Sequence, residues 1–350
     1  MSDPLLIYGA TGYTGRLVTR AAVALGLRPI LAGRDEAAVA ACAAPLGLEY
    51  RAAALTDPDR LMAVLRDIGV VLHVAGPFSR TARPMVEACL QRGAHYLDVT
   101  GEIPVIEDLA RRSAEARRRG IMIMPAVGFD VVPSDCLAAH VARRLPGATH
   151  LMLGISGLRF ATPGSAQTLA EHAGHGVAVR REGVIVSVLP GALSRPFDYG
   201  AGPRDSLNIS WGDVSSAFYT TGIPNIDVYF EATPLLRGML MASRYFGWML
   251  SSAPWQAWLK ACAGLLPPGQ SEAERRASPM VVVAEAVAGA RRVCARLRAP
   301  EAYTFTATTA ATIARRVVTG DLETGFQTPA RVYGADFVLA FDGVQREDLA

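Results

Sequence analysis

Hydrophobic positions in the first third of the chain fall into short apolar runs that alternate with helical patterns. The runs are brief and continuously apolar, which is typical of strands buried on both faces. Between them, apolar residues recur at helical spacing. This alternation predicts βαβ units and a parallel sheet. The predicted strands are 5–8, 28–32, 70–74, 95–99 and 121–125, and the predicted helices are 15–25, 36–46, 83–92 and 105–119.

The pattern changes at about residue 134, where strand-like runs are separated by loops rich in Gly, Pro and Ser. We interpret these runs as a different sheet. An apolar helical region at 234–266 interrupts them and ends at the breaker sequence Pro-Pro-Gly. A helix is predicted over 311–319. The further predicted strands are 151–156, 183–189, 207–211, 281–288, 303–309 and 336–341.

The amino-acid composition excludes several classes of protein. The chain has 350 residues, a net charge of +3 and 51% hydrophobic residues, which suggests about two domains and no electrostatic footprint for nucleic acid. Lys260 is the only lysine, so the chain has no Walker-A lysine and no Tyr-x-x-x-Lys pair. Five scattered cysteines and an N-terminus without a charged leader favour a cytoplasmic protein.

A glycine-rich turn, GATGYTG, joins the first predicted strand to a helix. Free backbone N–H groups at a helix N-terminus bind the pyrophosphate of a dinucleotide, and glycines let the backbone approach it closely. The turn therefore predicts a dinucleotide site. A glycine-rich turn without a ligand is the alternative. The predicted cofactor contacts in this turn are Gly9, Thr11, Gly12, Tyr13, Thr14 and Gly15.

The end of the second predicted strand distinguishes the two common dinucleotides. It reads Gly33-Arg34-Asp35. An arginine here pairs with the 2′-phosphate of NADP(H), whereas an acidic residue accepts hydrogen bonds from the ribose 2′-hydroxyl of NAD(H). We predict that Gly33 and Arg34 contact the cofactor and favour NADP(H). Asp35 leaves NAD(H) open.

Ligands of an open parallel sheet bind beyond the carboxyl ends of its strands. Small residues that allow close passage follow the strand at 70–74, and we predict cofactor contacts from Ala75, Gly76, Pro77 and Phe78. Carboxylates follow the next strands, and each can either face the cleft or cap a helix. They are Asp98, Glu102, Asp130 and Asp135.

Seven motifs are spread over most of the chain. They are GATGYTGR (9–16), LAGRD (31–35), AGPF (75–78), HYLDVTGE (95–102), PAVGFDVVPSD (125–135), ISWGDVSSAFYTTGIPNIDVYFEATP (209–234) and GFQTPARVYGADFVL (325–339). With them the chain resembles the bacterial saccharopine dehydrogenase-like oxidoreductases, which include mycobacterial trans-acting enoyl reductases. The resemblance implies an α/β fold with a Rossmann-type parallel sheet (1–135), an inserted second α+β domain (136–325) and a C-terminal return (326–350). It also implies NADP(H)-dependent oxidoreduction and a homodimer.

Reduction of a C=C or C=N bond needs a proton donor opposite the hydride. The candidates are Tyr219, His172, Asp130 and Asp135. Tyr219 can equally be a half-buried strand aromatic, and we predict no metal site. The apolar character of the second domain favours an acyl-type substrate and an enoyl reductase-like reaction. The alternatives are an amino-acid or imine dehydrogenase, for which Arg159, Arg180, Arg181 and Arg204 could bind a carboxylate, and a non-catalytic NADP(H)-binding regulator.

The apolar region 234–266 has two interpretations. Its helices can cover the core or a dimer interface. Alternatively, they form a lipid-facing or acyl-binding lid with peripheral membrane contact, where Arg237, Arg244 and Lys260 would meet anionic head groups.

Overall fold

The computed structural model describes residues 4–157, 162–267, 269–276 and 278–349. These residues form two compact units. The first contains the residues up to Val132 together with Tyr303–Val332, and the second contains Pro133–Ala302 and the residues from Tyr333 onward. The boundaries therefore differ from those predicted at 135 and 325.

The first unit begins as the hydrophobic pattern predicts, with strands and helices in alternation. Its N-terminal elements are the strands β1 (Leu5–Tyr8), β2 (Ile30–Gly33), β3 (Tyr50–Ala52), β4 (Val70–His73), β5 (His95–Asp98) and β6 (Met122–Met124), and the helices α1 (Tyr13–Ala24), α2 (Glu36–Ala43), α3 (Pro58–Val64), α4 (Phe78–Arg92), α5 (Ile103–Arg111) and α6 (Ser113–Arg119).

The chain then builds a second set of elements, richer in antiparallel strands. These are the strands β7 (His150–Ser156), β8 (Val177–Arg181), β9 (Val184–Val188), β10 (Ser194–Asp198), β11 (Pro203–Asn208), β12 (Asn225–Glu231), β13 (Met280–Ala288) and β14 (Arg291–Ala299), and the helices α7 (Val132–Arg144), α8 (Pro163–His172), α9 (Asp213–Thr221), α10 (Pro234–Leu250), α11 (Ala253–Gly264) and α12 (Glu272–Arg276). The last elements are α13 (Ala302–Val318), β15 (Gly325–Phe326), α14 (Pro329–Tyr333) and β16 (Gln345–Leu349).

The sheet of the first unit has seven parallel strands in the order β15-β6-β5-β4-β1-β2-β3. Every residue of β1 and β4 is buried, as expected for continuous apolar runs covered on both faces. The strand order reverses between β1 and β4, which is the doubly wound arrangement with a crevice at that point. The predicted Rossmann-type sheet is confirmed.

The second sheet is mixed, with the order β10-β11-β12-β7-β13-β14-β16, and β8 and β9 form a hairpin beside β12. β7 and β12 are parallel, whereas β13 runs antiparallel to β7. The C-terminal strand β16 joins this sheet through β14, from Cys294 to Arg298. The predicted second domain is therefore present. The chain returns to the first unit over Tyr303–Val332, and Tyr333–Ala350 belongs to the second unit.

Residues 303–309 were predicted as a strand because they are rich in Thr, Tyr and Phe, but they begin the helix α13. Phe305, Thr309, Ile313 and Val317 recur every four residues and are all buried, so one helix face covers the core. Helical packing therefore outweighs local β propensity, and α13 belongs to the first unit.

Two other local predictions are wrong. Residues 336–341 contain a 3-10 helix over Phe337–Ala340, and the last strand is β16 instead. Tyr219 lies on the helix α9, not on a strand. Among the described residues, no helix combines the length and apolar character needed to cross a lipid bilayer.

Candidate active site

The carboxyl ends of β1 and β4 meet at the point where the strand order reverses. Gly9, directly after β1, has a φ of +93°, and a Cβ at this position would lie 2.8 Å from the Cβ of Ala75, after β4. A Cβ on Gly15 would lie 2.2 Å from the carbonyl oxygen of Gly9. The loop therefore closes only with glycine at both positions.

The N-terminus of α1 is open for an anion. Its N-cap residue, Gly12, is exposed, and neither a side-chain cap nor an acidic residue in the first turn engages the free N–H groups. A Cβ at Gly12 would contact only the carbonyl oxygen of Gly9, at 3.5 Å. These features fit a pyrophosphate bound at the helix N-terminus. Thr11, Tyr13 and Thr14 are half-buried in the same loop.

The residues at the end of β2 differ in burial and in their hydrogen bonds. Gly33 is buried, whereas Arg34 is exposed, and in the described part of the chain Arg34 has no hydrogen bond or ion pair. The charge of Arg34 lowers the pKa of Tyr8, although burial raises that pKa more strongly, so the guanidinium lies within electrostatic reach of the end of β1. Asp35 caps α2 by accepting from the backbone N–H of Ala38 at 3.0 Å.

The loop after β4 is held by a carboxylate from the loop after β5. Glu102 accepts hydrogen bonds from the backbone N–H groups of Phe78 (2.7 Å) and Ser79 (2.8 Å), so it caps the N-terminus of α4. The hydroxyl of Thr81 donates to the carbonyl of Ala75 at 2.6 Å. Gly76 and Pro77, between these anchored ends, are exposed and half-buried respectively.

Asp98 joins three neighbouring segments. Its Oδ1 accepts from the N–H groups of Thr100 and Ala126, both at 2.9 Å, and its Oδ2 accepts from the hydroxyl of Tyr96 at 2.8 Å. Burial raises the pKa of Asp98 to about 6, against these hydrogen bonds, which lower it. Glu102 therefore takes the helix-capping role that the sequence left open, whereas Asp98 holds the loops after β5 and β6 together.

Asp130 differs from these two carboxylates. It is half-buried beyond β6, and the structure gives it no hydrogen-bond or ion-pair partner among the described residues. Burial raises its pKa to about 7. An Asp130 carboxyl therefore holds a proton over much of the range below neutral pH, as a general acid requires.

Two threonines of α13 hold the loop that carries Asp130. The hydroxyl of Thr306 accepts from the N–H of Phe129 at 2.9 Å, and the hydroxyl of Thr309 donates to the carbonyl of Val127 at 2.9 Å. Sequence reasoning missed these contacts because α13 lies about 175 positions further along the chain and was partly predicted as a strand. No local signal in the sequence pairs them with residues 127–129.

The remaining candidates lie in the second unit. Asp135 is fully buried near the start of α7 and accepts from the hydroxyl of Thr220 at 2.5 Å, which ties α7 to α9. Tyr219 is half-buried on α9, with the guanidinium carbon of Arg180 at 5.9 Å from its ring centre. The side chain of His172, at the end of α8, lies outside the described part of the structure. Within the described residues there is no metal-binding cluster.

Comparisons with known proteins agree with this geometry. Residues 5–124 match the family model of the saccharopine dehydrogenase NADP-binding domain. The chain is 32% identical over 188 residues to a trans-acting enoyl reductase of Mycobacterium ulcerans, covering 48% of this chain and 44% of that protein. It is 31% identical over 148 residues to a probable mitochondrial saccharopine dehydrogenase-like oxidoreductase of Arabidopsis thaliana, covering 37% and 33%. The matches thus cover less than half the length of these relatives.

A solved structure extends the comparison to the whole chain. The fold is similar to that of apo saccharopine dehydrogenase (L-Glu forming) from Saccharomyces cerevisiae, with a TM-score of 0.67, 14% identity and coverage of 99% of this chain and 100% of that one. The match confirms the fold, because identity this low carries no statement about activity. The predicted resemblance is confirmed, and residues 5–124 match the NADP-binding domain of the saccharopine dehydrogenase type.

Proposed function

We propose that this protein is an NADP(H)-dependent oxidoreductase that reduces a C=C or C=N bond of an apolar or acyl-type substrate. The observation that carries the proposal is the combination, at one sheet edge, of an open phosphate cradle at Gly12 with Arg34, which no described residue neutralises. The names of the relatives, reductases and a dehydrogenase-like oxidoreductase, support the same reaction class.

The preference for NADP(H) follows from the two residues after Gly33. Arg34 is free to pair with a 2′-phosphate, and the charge-assisted bonds of a guanidinium suit a phosphate. Asp35 already uses a carboxylate oxygen to cap α2, so it is less available to a ribose 2′-hydroxyl. The backbone N–H groups of the first turn of α1 would hold the pyrophosphate.

Asp130 is the proton donor in this proposal. When bound, NADPH supplies the hydride. The Asp130 carboxyl gives its proton to the substrate atom that does not receive the hydride, and it then regains a proton from solvent. The reaction thus adds one hydride and one proton across the double bond. The pKa of about 7 suits this role because the protonated form is present at neutral pH.

A polar amino-diacid would need arginines to bind its carboxylates. The candidate arginines that the structure describes already have partners within the protein, which supports an apolar substrate. The guanidinium of Arg180 donates to the carbonyls of Val214 and Gly183 and is buried. Arg181 pairs with Asp227 at 2.7 Å, and Arg204 pairs with a glutamate of β12 at 2.9 Å. Arg159 lies outside the described residues.

The test is NADPH oxidation by the full chain with three substrate classes: a 2-enoyl thioester, an imine formed from a 2-oxo acid and an amine, and a ketone. Oxidation with the enoyl thioester supports the proposal. Oxidation with the imine alone supports an amino-acid dehydrogenase. Tight NADPH binding with no oxidation by any of the three would make the protein a cofactor-binding regulator and overturn the proposed activity.

A further inference from the structure

The helices α10 and α11 of the second unit expose a large apolar surface. α10 has no buried residue, and the only buried residue of α11 is Ala263. The exposed fraction reaches 78% at Trp248 and 86% at Leu265. The interpretation of these helices as core elements is therefore wrong. We call this the apolar surface, and its principal members are Tyr245, Phe246, Trp248, Trp255, Trp258 and Leu265.

Two polar side chains of α11 contact the rest of the second unit. The side-chain amide of Gln256 donates to the carbonyls of Ala170 and Leu250, both at 2.9 Å. Lys260 pairs with Glu171 of α8 at 3.0 Å. These contacts anchor α11 by its polar positions, whereas its tryptophans are partly exposed, 37% at Trp255 and 56% at Trp258. A usual surface helix places its polar side chains, not its aromatic ones, toward solvent.

The segment 234–266 is basic, with three cations and no acidic residue. Arg237 is neutralised by Asp205 at 3.1 Å, and Lys260 by its glutamate. Arg244 is exposed between the aromatic residues of α10, and the structure shows no acidic partner for it within the described ranges. Arg244 is therefore available to an anion from outside the unit.

The β8–β9 hairpin extends the apolar surface. Val184 and Leu189 are each 62% exposed, and among the described strands β9 pairs with β8 alone. A cavity of about 410 Å³ opens between this hairpin and α10, lined by Leu189, Trp248 and Arg244 among others. Apolar side chains and an unpaired cation therefore lie at one opening.

We propose that the apolar surface docks on an anionic lipid bilayer. Tryptophan and tyrosine rings are favoured at the level of lipid head groups, and an amphipathic helix lies in that interface with its apolar face toward the acyl chains. Arg244 then meets anionic head groups, which attract cations at a membrane surface. The proposal concerns binding only and does not depend on the reaction proposed above.

Charge argues against a second copy of the chain as the occupant. A two-fold interface places the same patch on both sides. The segment 234–266 contains no carboxylate, so it would bury Arg244 without a partner within that patch, and an uncompensated buried charge is strongly unfavourable. An anionic bilayer supplies the missing charge.

The experiment uses the full chain with vesicles of phosphatidylcholine alone or of phosphatidylcholine and phosphatidylglycerol in equal amounts. Three of the four tryptophans, at 248, 255 and 258, lie on the apolar surface, so intrinsic fluorescence reports contact directly. We expect cosedimentation with the mixed vesicles, a blue shift of tryptophan emission and quenching by brominated lipid. Phosphatidylcholine alone should bind at least about tenfold less protein.

Two variants and their controls complete the test. Phe246→Ser/Trp248→Ser and Arg244→Glu should each weaken binding to the mixed vesicles about tenfold while NADPH binding is retained. Tyr50→Ser, an exposed aromatic of the first unit, and Arg118→Glu on α6 are the matched controls and should not. No vesicle response, equal binding to both vesicle types, or a dimer in light scattering that Phe246→Ser/Trp248→Ser dissociates would overturn the proposal.

Discussion

The carboxylate of Asp130 lies directly against the backbone of Gly101, so that a Cβ at Gly101 would be 2.6 Å from Asp130 Oδ2. The Asp130 carboxylate can therefore keep this position only because residue 101 has no side chain. Real Cβ atoms do not approach an oxygen this closely, and either the carboxylate or the loop must move if one is added. This close packing helps to set the position of the Asp130 carboxylate, the proposed proton donor.

Asp130→Asn is expected to lower the rate of substrate reduction by about 10²–10⁴-fold, because the amide has no acidic proton to donate. NADPH binding should be unchanged. In the wild type, the reductive rate should fall as pH rises through about 7, since the carboxyl loses its proton there. That pH dependence should vanish in the variant. Steady-state kinetics across pH provide the measurement, and an unchanged rate and profile would remove Asp130 from the mechanism.

Gly101→Ala provides a second, independent displacement of the same carboxylate. We expect a reduced rate with Asp130 still present, and a loss of stability of about 1–3 kcal/mol from the overpacked loop. Gly264→Ala is the matched control, because no other heavy atom lies within 4 Å of the Cβ position there and its φ is ordinary. Thermal unfolding of both variants measures the loss of stability, and steady-state kinetics measure the loss of rate. Equal behaviour of the two would contradict the role of the contact.

Gly12→Asp should abolish dinucleotide binding without harming the fold. The position tolerates a Cβ, and an aspartate is a favourable N-cap, so the variant should be at least as stable as the wild type. The added carboxylate also occupies the phosphate position at the start of α1, and its negative charge repels the phosphate. Fluorescence titration with NADPH measures the loss, and Gly12→Ala controls for added bulk. Retained NADPH affinity in Gly12→Asp would place the pyrophosphate elsewhere.

Arg34→Ala should weaken NADPH binding about 10–100-fold and leave NADH binding nearly unchanged, because only the 2′-phosphate needs the guanidinium. Arg20→Ala, an exposed cation on α1, controls for general loss of positive charge. Titration of each protein with both dinucleotides gives the comparison. Equal losses for NADPH and NADH would show that Arg34 is not the selective residue.

The sequence predicts the first sheet well because its strands are buried on both faces and its glycine loop is a local signal. Gly9 and Gly15 were recognised from spacing alone, and the close backbone contacts explain why. What could not be predicted depends on distant segments. The threonines of α13 that hold residues 127–129, and Glu102 beneath the loop after β4, are set by tertiary packing. A local pattern carries no information about such partners.

The exposed helices at 234–266 are a second feature that the sequence pattern could not predict. The spacing of apolar residues indicates an amphipathic helix but does not say whether its apolar face meets the core or solvent. In the structure, Gln256 and Lys260 are satisfied by neighbours in the unit, and the tryptophans face outward. Only the contacts of the polar residues distinguish the alternatives.

His73, at the end of β4, is fully buried, and neither ring nitrogen has a hydrogen-bond partner within the described residues. Its ring lies among Tyr8 (5.5 Å between centres), Phe78 (5.4 Å) and Tyr96 (6.3 Å). Burial lowers its pKa to about 3, so the native protein keeps this imidazole neutral. Replacement by phenylalanine preserves an aromatic ring in an aromatic site and removes both unsatisfied nitrogens.

The His73→Phe variant should therefore resist acid better than the wild type. In the unfolded chain a histidine has a pKa of about 6.5, so below that pH the unfolded state binds a proton that the native state refuses. Stability from His73 is present above about pH 6.5 and is lost as pH falls toward 3. At pH 5 the gain of His73→Phe over wild type should exceed its gain at pH 7.5 by about 2 kcal/mol. Urea unfolding at both pH values measures it, with exposed His150→Phe as the control. An equal gain at both pH values would mean that His73 takes up a proton as readily in the native protein as in the unfolded chain.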